Sequence, residues 1–193
     1  MKLAILSIGT VDSEAVSAIL KRLSQVLPQT ECTLLRSVMS VSESAYNQMR
    51  RQYNSTRILA EMADYVGKAD ADVVLGVTQV DLYASGLNFV FGEAQCPGKV
   101  ALISLSRLKP EFYGRLPDKK FFLERAVKEA IHEVGHVLGL GHCRDSSCVM
   151  FFSNSIFDTD AKRSTFCKNC SILVTEYVRK RDFRPREFHS GVS

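Results

Sequence analysis

The chain has 193 residues, of which 46% are hydrophobic and 24% are charged, and its formal net charge is +4. This balance is that of an ordinary folded protein and excludes a disordered or fibrous chain, while the length allows one main domain with at most a small appendage. So small a net charge argues neither for nor against an anionic partner.

The N-terminal segment contains an apolar run, residues 3–8, that predicts a first buried strand. The run is too short for the core of a signal peptide and far too short to span a bilayer. We therefore expect a cytoplasmic protein with no membrane partner. In a reducing compartment, closely spaced cysteines are more often metal ligands than disulfides.

Strands and helices alternate in the first half of the predicted structure. Asp12 or Ser13 can cap a helix whose apolar positions recur at helical spacing. Residues 32–38 then predict a second strand, residues 43–66 a helical stretch, and the valine-rich residues 72–78 a third strand. This alternation predicts an α/β fold with a mostly parallel sheet.

Two further strands are predicted at residues 88–95 and 99–107. The connection between them is short enough for an antiparallel hairpin, so one of them should be an edge strand. A helix is then predicted from Asp118, which follows Pro117, to Leu138, and Gly139 ends it.

The faces of this helix carry different residues. An apolar stripe is expected to face the core, formed by Leu123, Val127, Ala130, Val134 and Leu138. Arg125, Glu129, His132 and His136 recur on the other side, and the histidines are expected to face outward into a cleft.

The segment 132–142 has the sequence HEVGHVLGLGH and contains three of the four histidines in the chain. Residues four apart on a helix lie one turn apart, so His132 and His136 can both reach one zinc ion at ~2.0–2.1 Å. Glu133 lies beside them, where it can act as a general base. A continuing helix would carry His142 to the opposite face, so we expect Gly139 to turn the chain and return His142 to the metal.

Three nitrogen ligands leave one zinc position open for water, which is typical of catalytic sites. The predicted reaction is hydrolysis: Glu133 takes a proton from the zinc-bound water as it attacks a carbonyl, and zinc stabilises the oxyanion. Two alternatives stay open, namely three surface or hydrogen-bonded histidines and a structural zinc site without catalysis.

Four cysteines follow in two close pairs: Cys143, Cys148, Cys167 and Cys170. This spacing predicts an all-cysteine structural zinc site, and disulfides are the alternative. Two zinc ions per chain are therefore expected, while Cys32 and Cys96 are interpreted as ordinary thiols. We divide the chain into a catalytic domain, residues 1–142, and a C-terminal subdomain, residues 143–193, which carries the cysteines and a final helix beginning near residue 171.

The histidine motif, the four cysteines and Met150 together resemble the archaemetzincins, a family of metzincin-like zinc metallopeptidases. The resemblance implies a twisted sheet with backing helices and a zinc at the floor of a cleft. It also implies that a substrate peptide pairs with an antiparallel edge strand, for which residues 88–95 are the candidate. Met150 would lie in a tight turn beneath the catalytic zinc, although a plain core methionine stays open.

The same resemblance implies hydrolysis of peptide bonds in peptides or proteins, with aminopeptidase-like action. Some metzincins place a tyrosine shortly after this methionine that is thought to assist the oxyanion, and none occurs between Met150 and Cys170. We expect a monomer, and we expect no latency imposed by a propeptide, since the first strand begins almost at residue 1.

Two rival functions stay open. One is a zinc-stabilised binding protein with a vestigial histidine site, in which the cysteine module and a basic tail engage nucleic acid or another partner. The tail residues are Arg179, Lys180, Arg181, Arg184 and Arg186. A solvated helix end explains them more simply, so we do not expect nucleic acid. The second rival is a zinc hydrolase of a non-peptide amide.

Overall fold

The computed structural model describes residues 1–67 and 69–182. The strands are β1 (Lys2–Ile8), β2 (Glu31–Met39), β3 (Tyr46–Asn47), β4 (Gln52–Asn54), β5 (Val73–Thr78), β6 (Leu82–Tyr83), β7 (Gly92–Ala94) and β8 (Val100–Ser104). The helices are α1 (Ser13–Val26), α2 (Ser55–Tyr65), α3 (Lys119–Val137), α4 (Ile156–Ala161) and α5 (Lys168–Asp182). Short 3₁₀ turns occupy Glu43–Ala45, Ser106–Leu108 and Pro110–Tyr113.

Five strands form the main sheet in the order β2-β1-β5-β8-β7. The first three pairings are parallel, and β7 pairs antiparallel with β8 as the outermost strand. The predicted mostly parallel sheet with an antiparallel edge strand is therefore confirmed. A second, three-stranded sheet, β3-β4-β6, was not foreseen from the sequence.

The main sheet is covered on both faces because successive side chains of a strand point to opposite sides. Leu3 and Ile5 of β1 share a core with α1 and α3, while Ala4 and Leu6 share a second core with α2. All six residues of β5 are buried, as expected for a central parallel strand. The sheet therefore holds α3 on one face and α2 on the other.

The helix ends agree with the caps predicted from the sequence. The Asp12 carboxylate accepts hydrogen bonds from the backbone N–H groups of Glu14 and Ala15, both at 3.0 Å. Asp118 caps α3 by accepting from the Phe121 N–H at 2.9 Å. Such caps satisfy backbone donors that have no partner within the helix.

The single helical stretch predicted for residues 43–66 is wrong. The chain forms a 3₁₀ turn and the β3–β4 hairpin before α2 begins. The side chains of two asparagines compete with helical hydrogen bonding. Asn47 accepts from the Arg50 N–H at 3.1 Å within the turn, and Asn54 caps α2 by accepting from the Arg57 N–H at 2.9 Å.

The two hairpin strands are shorter than predicted. β7 covers three residues of the expected 88–95, and β8 covers five of the expected 99–107. Val90 instead bridges to Leu82 of β6, and its N–H donates to the Leu82 carbonyl at 3.0 Å. The free edge next to the cleft is thereby limited to a short segment.

The side of α3 opposite the apolar stripe is largely buried. Arg125 is 1% exposed and Glu129 is 3% exposed, although His136 remains partly exposed. The segment around α4 covers this side, and Asp160 binds the Arg125 guanidinium through both oxygens, at 2.7 and 2.8 Å. α3 is therefore a buried central helix.

The C-terminal segment adds buried residues to the core of α1 and α3, among them Val149, Met150 and Val174. The final helix begins at Lys168, three residues before the predicted start. Arg179 and Lys180 are exposed near its end, while Arg184, Arg186 and the side chain of Arg181 lie outside the described residues. In the described part of the chain, no helix combines the length and apolar character needed to span a membrane.

Candidate metal centre

Three histidines converge beside the C-terminal end of α3. One ring nitrogen from each of His132, His136 and His142 lies within 4.8 Å of the others. The Nε2 atoms of His132 and His136 are 3.1 Å apart. Ligands at ~2.0–2.1 Å from a tetrahedral ion lie ~3.3 Å from one another, so this arrangement fits a zinc ion with little adjustment.

Backbone carbonyls fix the orientation of two of these rings. The Nδ1–H of His132 donates to the Val149 carbonyl at 2.8 Å, and that of His136 donates to the Leu140 carbonyl at 2.7 Å. Since a carbonyl can only accept, Nδ1 carries the proton in each ring and Nε2 keeps its lone pair for a metal.

Gly139 provides the turn that returns the chain to the centre. Its φ of 83° is left-handed, and its N–H donates to the His136 carbonyl at 2.8 Å. Leu140 closes the same turn with a 3.0 Å bond to the Gly135 carbonyl. The predicted break in the helix is therefore confirmed.

The electrostatic environment keeps the histidines neutral. Burial lowers the pKa of His132 to about 3, and the nearby ammonium of Lys162 acts in the same direction. Burial also lowers the pKa values of His136 and His142. A neutral imidazole is the form that binds a metal, so all three rings are ready to act as ligands at neutral pH.

Glu133 is 5% exposed and lines the same cleft as the histidines. Burial raises its pKa well above the ordinary value, and the neighbouring carboxylates Glu129 and Glu93 act in the same direction. A raised pKa makes a carboxylate a stronger proton acceptor.

The four cysteines of the predicted second site also come together. Their sulfur atoms all lie within 4.8 Å of one another, and the sulfurs of Cys143 and Cys167 are 3.8 Å apart. Four sulfurs at ~2.3 Å from a tetrahedral zinc would be ~3.8 Å apart, so this set also fits zinc. All six cysteines of the chain are free thiols, which disfavours the disulfide alternative.

A cleft of about 430 Å³ opens over the histidines. One side is formed by residues 87–94, which include the edge strand β7, and the other side by residues 152–154. Phe152 occupies the second position after Met150, and its ring packs on His142 with centroids 4.7 Å apart.

The comparisons with known proteins agree with this geometry. A family model described as peptidase family M54 matches residues 12–176. The chain belongs to peptidase family M54. The M54 chain is 49% identical over 170 residues to the archaemetzincin of Methanocaldococcus jannaschii, a match that covers 88% of this chain and 90% of that protein. The resemblance to the archaemetzincins is thereby confirmed.

Solved structures of M54-like proteins share the fold. The crystal structure of the archaemetzincin of Methanopyrus kandleri superposes with a TM-score of 0.80 at 38% identity, covering 93% of this chain and 96% of that one. A zinc-dependent peptidase from Methanocorpusculum labreanum gives a TM-score of 0.80 at 29% identity, covering 89% and 99%. The M54 chain is thus a zinc metallopeptidase, and peptides are its substrate class.

A buried ion pair lies behind the first histidine of the M54 site, and sequence reasoning missed it. Lys162 has no exposed side-chain surface, and its Nζ lies 3.1 Å from Glu129 and 3.5 Å from His132 Nδ1. Thr159 donates to Glu129 at 3.0 Å. Although burial acts to raise it, the pKa of Glu129 is lowered by the charge of Lys162. No periodic pattern marks Lys162, because it reaches the site from the chain just after α4.

Two glycines allow other side chains to pack closely around the histidine segment, residues 132–142. A Cβ on Gly92 of β7 would lie 2.6 Å from Glu133 Cγ, so the side chain of Glu133 rests directly on the edge strand. A Cβ on Gly135 would lie 2.3 Å from the sulfur of Met150. The buried Met150 therefore packs against α3 between the turns that carry His132 and His136.

Proposed function

We propose that the chain hydrolyses peptide bonds at one zinc ion held by His132, His136 and His142, with Glu133 as the general base. The observation that carries this proposal is the convergence of three neutral imidazoles, two of them fixed through Nδ1, beside a buried carboxylate in one cleft. When bound there, zinc would supply a Lewis acid for the carbonyl and lower the pKa of a water molecule.

The role of Glu133 follows from its position in the cleft. Its carboxylate takes a proton from the attacking water and delivers it to the leaving nitrogen. Because the side chain rests on Gly92 and is shielded from solvent, few orientations are open to it. This restriction favours proton transfer at one place, beside the histidines.

A substrate peptide is proposed to pair with the outer edge of β7. Gln95 donates to the Val100 carbonyl and Ser104 donates to that of Phe91, so alternate residues bond to β8. By this alternation, Gly92 and Ala94 direct their N–H and C=O groups away from β8. These groups can accept an extended peptide by strand addition.

The four cysteines are proposed to hold a second, structural zinc, and residues 143–193 are proposed as a C-terminal subdomain, of which the structure describes residues 143–182. Cys143, one of the proposed ligands of this zinc, follows His142 directly, and the Cys143 N–H donates to the Met150 carbonyl at 2.9 Å. This second ion would thereby stabilise the loop that carries the third histidine.

Cleavage of a mixed peptide library, monitored by mass spectrometry, tests the proposal. We expect cleavage that disappears on chelation and returns with zinc. Comparing free and N-acetylated peptides tests aminopeptidase-like action, since only the free peptides would then be cut. If the zinc-loaded protein cleaved no peptide, the proposed activity would be contradicted.

A further inference from the structure

Two large apolar side chains are exposed in the cleft. Leu87 is 51% exposed and Phe152 is 47% exposed, and both line the cavity over the histidines. Leu87 lies on the edge-strand side and Phe152 on the histidine side. Exposed apolar groups that line a cleft are typical of ligand contacts.

The backbone next to Leu87 is held from behind. The Arg50 guanidinium donates to the carbonyls of Leu87 and Asn88, at 2.8 and 3.0 Å, and Gln52 donates to Asn88 at 3.1 Å. Arg107 lies over the Phe89 ring at 4.4 Å. The exposed leucine therefore belongs to an anchored segment that presents its side chain to the cleft.

The charges in the cleft oppose an acidic ligand. Within the described part of the chain, the residues that line it include Glu93, Glu129 and Glu133, and none is Lys or Arg. Glu129 is already paired with Lys162. An acidic side chain of a substrate would find no cationic side chain on these walls, whereas an apolar one would find Leu87 and Phe152.

We propose that the cleft selects peptides with a bulky apolar residue next to the scissile bond, with Leu87 and Phe152 as the contacts that determine this preference. The inference rests on the proposed peptidase function and assigns its substrate class. Contact with the apolar walls removes apolar surface of both partners from water, and this favours leucine or phenylalanine over aspartate at that position.

The test uses peptides that differ only at one residue beside the cleaved bond, carrying Leu, Phe or Asp. Wild type should show kcat/KM at least about tenfold higher for Leu and Phe than for Asp. Leu87→Ala and Phe152→Ala should each reduce this ratio several-fold with unchanged zinc content, and Phe152→Leu should largely restore it. Leu173→Ala and Phe157→Ala are controls, because these exposed side chains lie outside the cleft wall.

Equal kcat/KM across the series, or an unchanged preference in both cleft variants, would overturn the inference. Equilibrium binding of the same peptides to zinc-loaded Glu133→Gln distinguishes a failure of the proposed apolar preference from a failure of the proposed hydrolysis. An apolar preference in binding without cleavage by wild type would contradict the hydrolysis and leave the inference standing. Binding of all three peptides with equal affinity, or of none, would overturn the inference.

Discussion

The histidine site and the cysteine site are adjacent in the chain, but their ligands are held in opposite ways. Two histidine rings donate through Nδ1 to backbone carbonyls, which directs their free nitrogens towards the cleft. Two cysteine sulfurs instead accept backbone N–H groups, Cys143 from Asp145 at 3.4 Å and Cys148 from Cys167 at 3.2 Å. N–H donors stabilise negative sulfur. Four cysteines can fill a tetrahedral zinc and close the site, whereas three histidines leave one position for an exchangeable ligand.

The two sites are also joined at two points. His142 and Cys143 are neighbours in sequence, and the carbonyl that orients His132 belongs to Val149, the residue after Cys148. A change at the cysteines should therefore reach the first and third histidines together.

Cys167→Ser should remove the structural zinc and also lower the occupancy of the catalytic site. We expect zinc content to fall from about two ions per chain to below one, because metal binding and folding of the cysteine loop are coupled. Elemental analysis measures the zinc content, and circular dichroism measures the folding. Cys32→Ser is the matched control, since Cys32 lies outside both clusters. A folded Cys167→Ser protein with full activity would contradict the coupling.

Lys162→Ala should destabilise the fold by about 3–5 kcal/mol, because it leaves the buried carboxylate of Glu129 without its partner. Thermal or denaturant unfolding measures this loss. Combining Lys162→Met with Glu129→Leu should recover most of it, since neither charge then stays buried alone. Lys119→Ala, which breaks an exposed pair with Asp12, should change stability little. Similar losses for the two lysines would refute the importance assigned to the buried pair.

Gly92→Ala should lower kcat about 10- to 100-fold while zinc content stays at the wild-type value. The new methyl group would lie 2.6 Å from Glu133 Cγ and 2.7 Å from the Leu102 carbonyl oxygen, so it would shift both the proposed base and the edge strand, and its nearest atoms include none of a histidine. Steady-state kinetics and elemental analysis separate the two effects. Gly141→Ala is the control, because a Cβ there meets no atom within 4 Å. If Gly92→Ala lost zinc and kept its kcat, the assignment of Glu133 would be wrong.

Gly139→Val should weaken zinc binding at the histidine site by about 1–3 kcal/mol, since a β-branched residue is strained at the left-handed φ of 83°. No ligand is altered by this change. Competition with a chelator measures the affinity. Unchanged affinity would show that the turn is not what returns His142 to the metal.

The sequence was sufficient for the parts of the site that lie in local patterns. The spacing of His132, His136 and His142 and of the four cysteines determines which atoms can meet, and the cap residues mark the helix ends. Lys162 and Gly92 were missed because they reach the motif through tertiary packing. Likewise, the polar residues Arg125 and Glu129 suggested an exposed helix face, but their partners come from a distant part of the chain.

Zinc content and peptide cleavage, measured together on wild type and Glu133→Ala, test whether Glu133 is the general base of a zinc peptidase. We expect about two zinc ions per chain in both proteins. We also expect kcat to fall at least about a hundredfold in the variant, because the base is lost while all metal ligands remain. A zinc-loaded Glu133→Ala protein that cleaves peptides at the wild-type rate would contradict the role of Glu133.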